Sequence, residues 1–296
     1  MLIVRRLILT AILLLIIFSS FVVLAFFQTE EQTDYSIELR GYTWNHSTIS
    51  VSILPQENET WWEPSYLNAS LHGIAQWNAA IQEFASNHTD FSYISNVHLV
   101  TTVSHEVVSG FDIYVRWRAE CDCEETIGET LTTVQSPCVI VYNTVNLSAK
   151  APSGHVMTEF DMQNIVVHEI GHTFGLSHSN YSSDAMYGTV YYRETVKPVS
   201  SLDIYALSQI FEWMTNSTLF SSSIVCPEES VLTMPSSISY VHFPIAAENL
   251  PAYSSQNLIE YAIRLLLRPE ILTLFIVIVT LIVATVIILK KRKKPQ

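Results

Sequence analysis

The chain has 296 residues, of which 49% are hydrophobic, and its formal net charge at pH 7 is −13. Seven of its 15 basic residues flank two long apolar segments, whereas all 28 acidic residues lie between those segments. This acidic middle part argues against nucleic acid or anionic lipid headgroups as partners. The same charge would suit basic substrates, but solubility is the simpler explanation and we prefer it.

The first apolar segment, residues 7–27, is uncharged and predicts a transmembrane anchor behind a short cytoplasmic N-terminus at 1–6. A helix of this length rises about 30 Å, enough to cross the hydrocarbon core of a bilayer. A cleaved secretory signal is the competing interpretation, because Arg5 and Arg6 precede the segment and Val23-Leu24-Ala25 would serve as a weak cleavage site. The length favours the anchor. Both interpretations export the chain that follows.

A polar stem, residues 28–39, is predicted to lead into a folded domain that spans residues 40–215. Within the domain, apolar residues alternate over 48–54 and predict a strand. Apolar residues at helical spacing then predict a long helix over 61–84. Four further strand-like runs follow, at 97–103, 111–117, 127–133 and 139–145.

A second helix is predicted to begin near Thr158, where Thr158 and Asp161 match a variant of the capping box. Its apolar stripe would face the core, which leaves His168 and His172 on the side of a cleft. These two histidines are four residues apart, so their rings lie on one face of the helix and reach one ion.

The chain from His168 to His178 reads H-E-x-x-H-x-x-G-x-x-H. Gly175 allows a left-handed backbone that ends the helix and turns the chain, and this turn brings His178 round as a third ligand. Three histidine nitrogens with water in the fourth position are typical of catalytic zinc, whereas structural sites use four protein ligands. The motif therefore predicts one Zn²⁺ held by His168, His172 and His178.

Glu169, beside the first ligand, is predicted to bind the reacting water and to act as the catalytic base. An amphipathic helix with incidental histidines is the alternative explanation. Gly175, His178 and a downstream methionine, Met186, would all have to coincide with the motif by chance, which argues against that alternative.

Met186 lies in Asp184-Ala185-Met186-Tyr187, and with this segment the sequence resembles the metzincin zinc proteases, most of all the matrixins. The resemblance implies an α+β catalytic domain with a twisted five-stranded mixed sheet and three helices, the last over 201–213. It also implies that Met186 forms an apolar floor under the zinc, with Tyr187 nearby. Matrixins usually have proline after this Met-Tyr pair, so Gly188 departs from the pattern at the specificity pocket.

The resemblance further implies that the strand over 127–133 is an edge of the sheet. An open edge offers unpaired N–H and C=O groups to an extended peptide, so Gly128, Glu129 and Thr130 are candidate substrate-binding residues. A structural Ca²⁺ is also implied by the family, without assigned ligands. No cysteine precedes the domain, where a matrixin inhibitory propeptide would carry its zinc-blocking cysteine.

Beyond the domain, residues 216–270 contain several prolines and are predicted to form an extracellular stalk or small appendage. Residues 271–289 are uncharged and predict a second transmembrane helix. The basic tail at 290–296 keeps its end of the chain in the cytoplasm, as Arg5 and Arg6 keep the other. We therefore expect a cell-membrane protein that contacts lipid through both spans and has its catalytic domain outside the cell.

The exported part carries cysteines and glycosylation sequons. Four cysteines allow three pairings; because Cys121 and Cys123 are poorly placed to join each other, one is expected to bond Cys138 and the other Cys226. A thiolate metal site is the alternative. The seven predicted N-glycosylation sites are Asn45, Asn58, Asn68, Asn87, Asn146, Asn180 and Asn216.

These features predict a membrane-anchored zinc endopeptidase that cleaves polypeptide substrates outside the cell; the oligomeric state stays open. A processing protease dedicated to one neighbouring membrane protein is a narrower form of the same hypothesis. The alternative from another class is a catalytically inactive adhesion or receptor module on the same scaffold. The presence of Glu169 argues against it, since a structural zinc has no use for that carboxylate.

Overall fold

The computed structural model describes residues 34–120, 126–189, 195–215 and 224–243. Across these ranges, no helix is both long and apolar enough to cross a bilayer. The two predicted spans, 7–27 and 271–289, lie outside the described residues.

The described residues form eight strands and three α-helices. In chain order they are β1 (Ser36–Arg40), β2 (Thr48–Leu54), α1 (Pro64–Asn87), β3 (His98–Val103), β4 (Ile113–Glu120), β5 (Gly128–Gln135), β6 (Val139–Lys150), α2 (Glu159–Thr173), β7 (Leu176–Ser179), α3 (Ser201–Ile210) and β8 (Glu229–Thr233). Short 3₁₀ helices, Thr89–Asn96 and Glu212–Thr215, follow α1 and α3.

The larger sheet has five strands in the order β3-β2-β4-β6-β5. β2 pairs in parallel with β3 and β4, and β4 pairs in parallel with β6, whereas β5 is antiparallel to β6. The alternating apolar residues of β2, Ile49, Val51 and Ile53, are all fully buried. The predicted five-stranded mixed sheet is confirmed, and β5 is its edge strand.

Helix α2 lies against α1 on one side and β5 on another. Gly73 of α1 allows the close helix contact, since a Cβ there would lie 3.0 Å from Cγ1 of Val166. The indole Nε1 of Trp77 donates to the Val167 carbonyl at 2.9 Å. At the start of α2, Thr158 and Asp161 form the predicted capping box, so the beginning of this helix is set by its own sequence.

A second sheet, with the order β7-β1-β8, was not predicted from the sequence. β1 lies partly in the predicted polar stem, and β8 lies in the predicted stalk. The two strands pair antiparallel from Ser36 with Thr233 to Arg40 with Glu229. Beyond β8, Ile238 and Phe243 are buried in the core. Residues 224–243 therefore fold onto the domain, as the predicted small appendage would and an extended stalk would not.

The disulfide joins Cys138 to Cys226, with their Cα atoms 5.8 Å apart. The predicted pairing of each of them with Cys121 or Cys123 is wrong. Long-range strand pairing explains the difference, because β8 places Glu229 beside Gly41 while Thr43 N donates to the Cys138 carbonyl. The chain just before β8 thus reaches the start of β6. Cys121 and Cys123 lie outside the described residues.

One predicted glycosylation site does not fit the folded domain. Asn146 is buried in β6, where its Oδ1 accepts from Arg116 Nε at 2.6 Å and its Nδ2 donates to Glu129 at 3.3 Å. A glycan on Nδ2 would compete with the contact to Glu129 and would have to fit at a buried position of β6. The side chains of Asn45, Asn58, Asn68, Asn87 and Asn180 are exposed, and Asn216 lies outside the described residues.

The disulfide gives a test of the fold. Cys226→Ser should lower the free energy of unfolding by up to about 4 kcal/mol, because the bond closes a loop between residues 88 positions apart. Thermal and denaturant unfolding measure the change. Val225→Ala removes an exposed neighbour and serves as the matched control. Equal stability of both variants and the parent would contradict this account of the C-terminal segment.

Candidate metal centre

The three histidines of the motif come together in the structure. His168 and His172 are on α2, His178 is on β7, and their ligand atoms all lie within 4.8 Å of one another. His168 and His172 are buried, whereas His178 is exposed. As predicted, Gly175 has a left-handed backbone, with φ of +101°. A Cβ at Gly175 would lie 2.6 Å from the Tyr42 carbonyl oxygen, so only glycine fits this turn.

Hydrogen bonds determine which ring nitrogen of His168 and of His172 is available to bind a metal. Nδ1 of His168 lies 2.9 Å from the Ala185 carbonyl, and Nδ1 of His172 lies 2.9 Å from the Leu176 carbonyl. Because a carbonyl only accepts, each Nδ1 carries the proton and each Nε2 is left as the ligand atom. Burial lowers the pKa of His168 to about 4 and that of His172 well below its usual value. Both rings are therefore neutral, as metal ligands must be, and the three imidazoles fit Zn²⁺.

Met186 packs against the metal-binding helix. It is fully buried, and a Cβ added at Gly171 would overlap its sulfur. Glycine inside a helix costs about 1 kcal/mol relative to alanine, so Gly171 in the H-E-I-G-H segment is a sequence signal for close approach. Met186 thus packs onto the helix that carries His168 and His172. The same turn supplies the Ala185 carbonyl that orients His168.

A buried carboxylate holds this turn in place. Asp184 Oδ1 accepts from Met186 N at 2.9 Å, and Oδ2 accepts from Ser200 Oγ at 2.6 Å and from the Tyr240 hydroxyl at 3.2 Å. Burial, and then the neighbouring Asp184, raise the pKa of Asp203 well above its usual value. The motif did not indicate this network, because Tyr240 lies after β8, far from the motif in sequence.

Glu169 faces the edge strand. Its Oε2 accepts from Thr130 Oγ1 at 2.7 Å, and a Cβ at Gly128 would lie 2.5 Å from its Oε1. Burial raises the pKa of Glu169 to about 7, against smaller lowering effects of Thr130 and Arg40. The site thus contains a carboxyl group that can take up and release a proton near neutral pH.

Arg40 of β1 also reaches the site and was missed by the sequence analysis. Its Nη2 lies 3.2 Å from Nδ1 of His172, the same nitrogen that is 2.9 Å from the Leu176 carbonyl. We assign the Nδ1 proton to the carbonyl, so the guanidinium is a neighbouring cation rather than a donor to this ring. It adds to the lowering of the His172 and His178 pKa values. No motif marks Arg40, since β1 is far from the histidines in sequence.

The open side of β5 borders Glu169. Ser148 N donates to the Ile127 carbonyl at 2.9 Å, and backbone groups alternate along an antiparallel strand. The N–H and C=O groups of Gly128, Thr130 and Thr132 therefore point to the free edge, where no backbone group of the described residues meets them. Glu129 has the opposite register, with its backbone directed to β6 and its side chain at Asn146.

The model of a known family, Peptidase_M10 (Matrixin), matches residues 43–212, which is more than half of the chain. The chain belongs to the matrixin family. No protein in the curated collection of known proteins matches this sequence. In this matrixin the family match includes the metal-binding histidines, Glu169 and Met186, but ends before β8.

Two further features of this matrixin follow from the structure. Among the described residues, no second group of three or more His, Cys, Asp or Glu side chains comes together, so the expected Ca²⁺ receives no ligands from such a group.

Gly188, where matrixins usually have proline, lies beside the third ligand. A Cβ at Gly188 would be 3.1 Å from Nδ1 of His178, a tight contact. Glycine there leaves room for the His178 ring.

The metal centre predicts a zinc stoichiometry. The native protein should hold one zinc per chain. His172→Ala should lose it, because the two remaining histidines are too few ligands to retain the ion. Elemental analysis after dialysis measures the content. His105→Ala removes an exposed histidine on the surface and should keep the metal. Full zinc retention by His172→Ala would show that the triad is not the site.

Proposed function

We propose that this matrixin is a zinc-dependent endopeptidase that cleaves polypeptide substrates outside the cell. One observation carries the proposal: a buried carboxyl group, Glu169, stands between a three-histidine metal site and an open strand edge. A peptide that adds to that edge as an extra strand would run directly past the base and the metal ligands.

The zinc would be held by His168, His172 and His178. When bound, zinc supplies a Lewis acid that lowers the pKa of a water molecule and polarises a carbonyl group. The protein keeps the ligand rings neutral by burial and orients two of them through the carbonyls of Ala185 and Leu176.

Glu169 is proposed to move the proton. It accepts a proton from the water that attacks the scissile carbonyl and delivers it to the leaving amine nitrogen. A pKa raised by burial to about 7 suits both steps, because the group must hold and release the proton at neutral pH. The backbone N–H and C=O groups of Gly128, Thr130 and Thr132 would align the peptide along β5.

An adhesion or receptor module without catalysis is the second candidate. It would keep the zinc for structure and bind a protein at the same open edge. Buried Glu169 argues against it, since burying a carboxyl group is unfavourable and a structural metal gains nothing from that group.

The carboxyl group gives the direct test. Glu169→Gln keeps the size of the side chain but cannot accept the proton, so peptide turnover should fall about 10²–10⁴-fold. Zinc content should equal that of the parent, because all three histidines remain. Cleavage of a fluorogenic peptide library and elemental analysis measure the two quantities. Parent-like turnover in Glu169→Gln would rule out the proton-transfer role.

We also infer that the protein is anchored in the cell membrane with the catalytic domain outside. The support is the sequence: two uncharged segments, 7–27 and 271–289, each with basic residues on its outer flank. Substrates would then be extracellular or cell-surface proteins, and glycans would lie on the exposed sequons.

Topology can be measured on sealed cells. A tag inserted at Gly154, where an added side chain meets open space, should be digested by external protease. A tag on the basic tail at 290–296 should be protected, because basic flanks stay in the cytoplasm. Protection of the first tag with digestion of the second would reverse the proposed orientation.

A further inference from the structure

We infer that Thr130 is a positioning residue that orients the Glu169 carboxylate for proton transfer. The Thr130 hydroxyl lies 2.7 Å from Oε2 of Glu169 and 3.0 Å from the Glu169 backbone carbonyl oxygen. A threonine hydroxyl has one proton to donate. The carboxylate is the closer and, when ionised, the stronger acceptor, so the hydrogen bond goes to Oε2.

Packing restricts the same carboxyl group from the other side. A Cβ at Gly128 would lie 2.5 Å from Oε1 of Glu169 and 2.7 Å from Cγ2 of Ile165. The Glu169 side chain is thus pressed against the bare backbone of β5. Any larger residue at position 128 would have to displace it.

These two contacts leave the two carboxylate oxygens in different environments. Oε2 is held by the hydroxyl, whereas Oε1 accepts no hydrogen bond from any residue in the described ranges. Terminal rotation of a free carboxylate is soft, and a hydrogen bond at one oxygen fixes it. Thr130 thus holds the carboxylate in a constant orientation, with Oε1 against Gly128 and without a donor in the described ranges.

Thr130 also belongs to the edge that is proposed to bind the substrate. Its side chain faces α2 and Glu169, while its backbone faces the open edge. One residue would therefore connect the alignment of the peptide to the orientation of the base. A purely structural role, through the bond to the helix carbonyl, is the competing explanation.

This inference rests on the proposed peptidase function, and its test separates the two. Thr130→Val keeps the shape but removes the donor, so kcat should fall about 10- to 100-fold, the loss of one hydrogen bond to a charged group. KM and zinc content should not change. Thr130→Ser restores the hydroxyl and should recover most of kcat. Thr133→Val, the same substitution at an exposed position of β5, is the control and should behave like the parent.

A second background distinguishes positioning from structure. In Glu169→Gln, where no proton transfer remains to be oriented, Thr130→Val should lower kcat by less than about 2-fold, because residues that act as a unit are not additive. Equal losses in both backgrounds, or no loss in the active parent, would overturn the role of Thr130. A zinc-loaded parent that cleaves no peptide would overturn the proposed function, and the Thr130 role with it.

Discussion

The reversal of the chain at Gly175 is the constraint on which the metal site depends. Two histidines on one helix can approach one ion, but the third reaches them only if the chain turns back immediately. The turn uses a φ of +101° and packs directly onto the Tyr42 carbonyl, so a side chain is excluded both by conformation and by space. Arg40 N donates to the Gly175 carbonyl at 2.9 Å, which ties the turn to β1.

Around this turn, helix α2 is approached closely by two separate parts of the chain. Gly171 admits the Met186 sulfur, and Gly128 of β5 admits the Glu169 carboxyl group. Because Gly171 and Gly128 have no side chains, the methionine turn and the edge strand can both contact α2, the helix that carries His168 and His172. Asp184 and Tyr240 then hold the methionine turn from behind. Packing on both sides of α2 therefore positions His168, Glu169 and His172.

The features that could be predicted from the sequence depend on local spacing or match a known motif. The spacing of His168, His172 and His178, the cap at Thr158 and the alternation along β2 each depend on neighbours within a few residues. The second sheet, the Cys138–Cys226 bond and the burial of Asn146 depend on which distant strands pair and in which register. Nothing within β1 marks Arg40 as a neighbour of His172. Single-sequence patterns contain no information on such pairings.

The measurement that tests the central claim most directly is peptide cleavage by the purified protein as its metal is removed and returned. Cleavage of a peptide library should stop when a chelator removes one zinc per chain and should return in proportion to the zinc restored. The fold should persist without metal, because the helices and sheets around the triad form a large buried core of their own. Cleavage that continues without zinc, or zinc-loaded protein that cleaves nothing, would contradict the account.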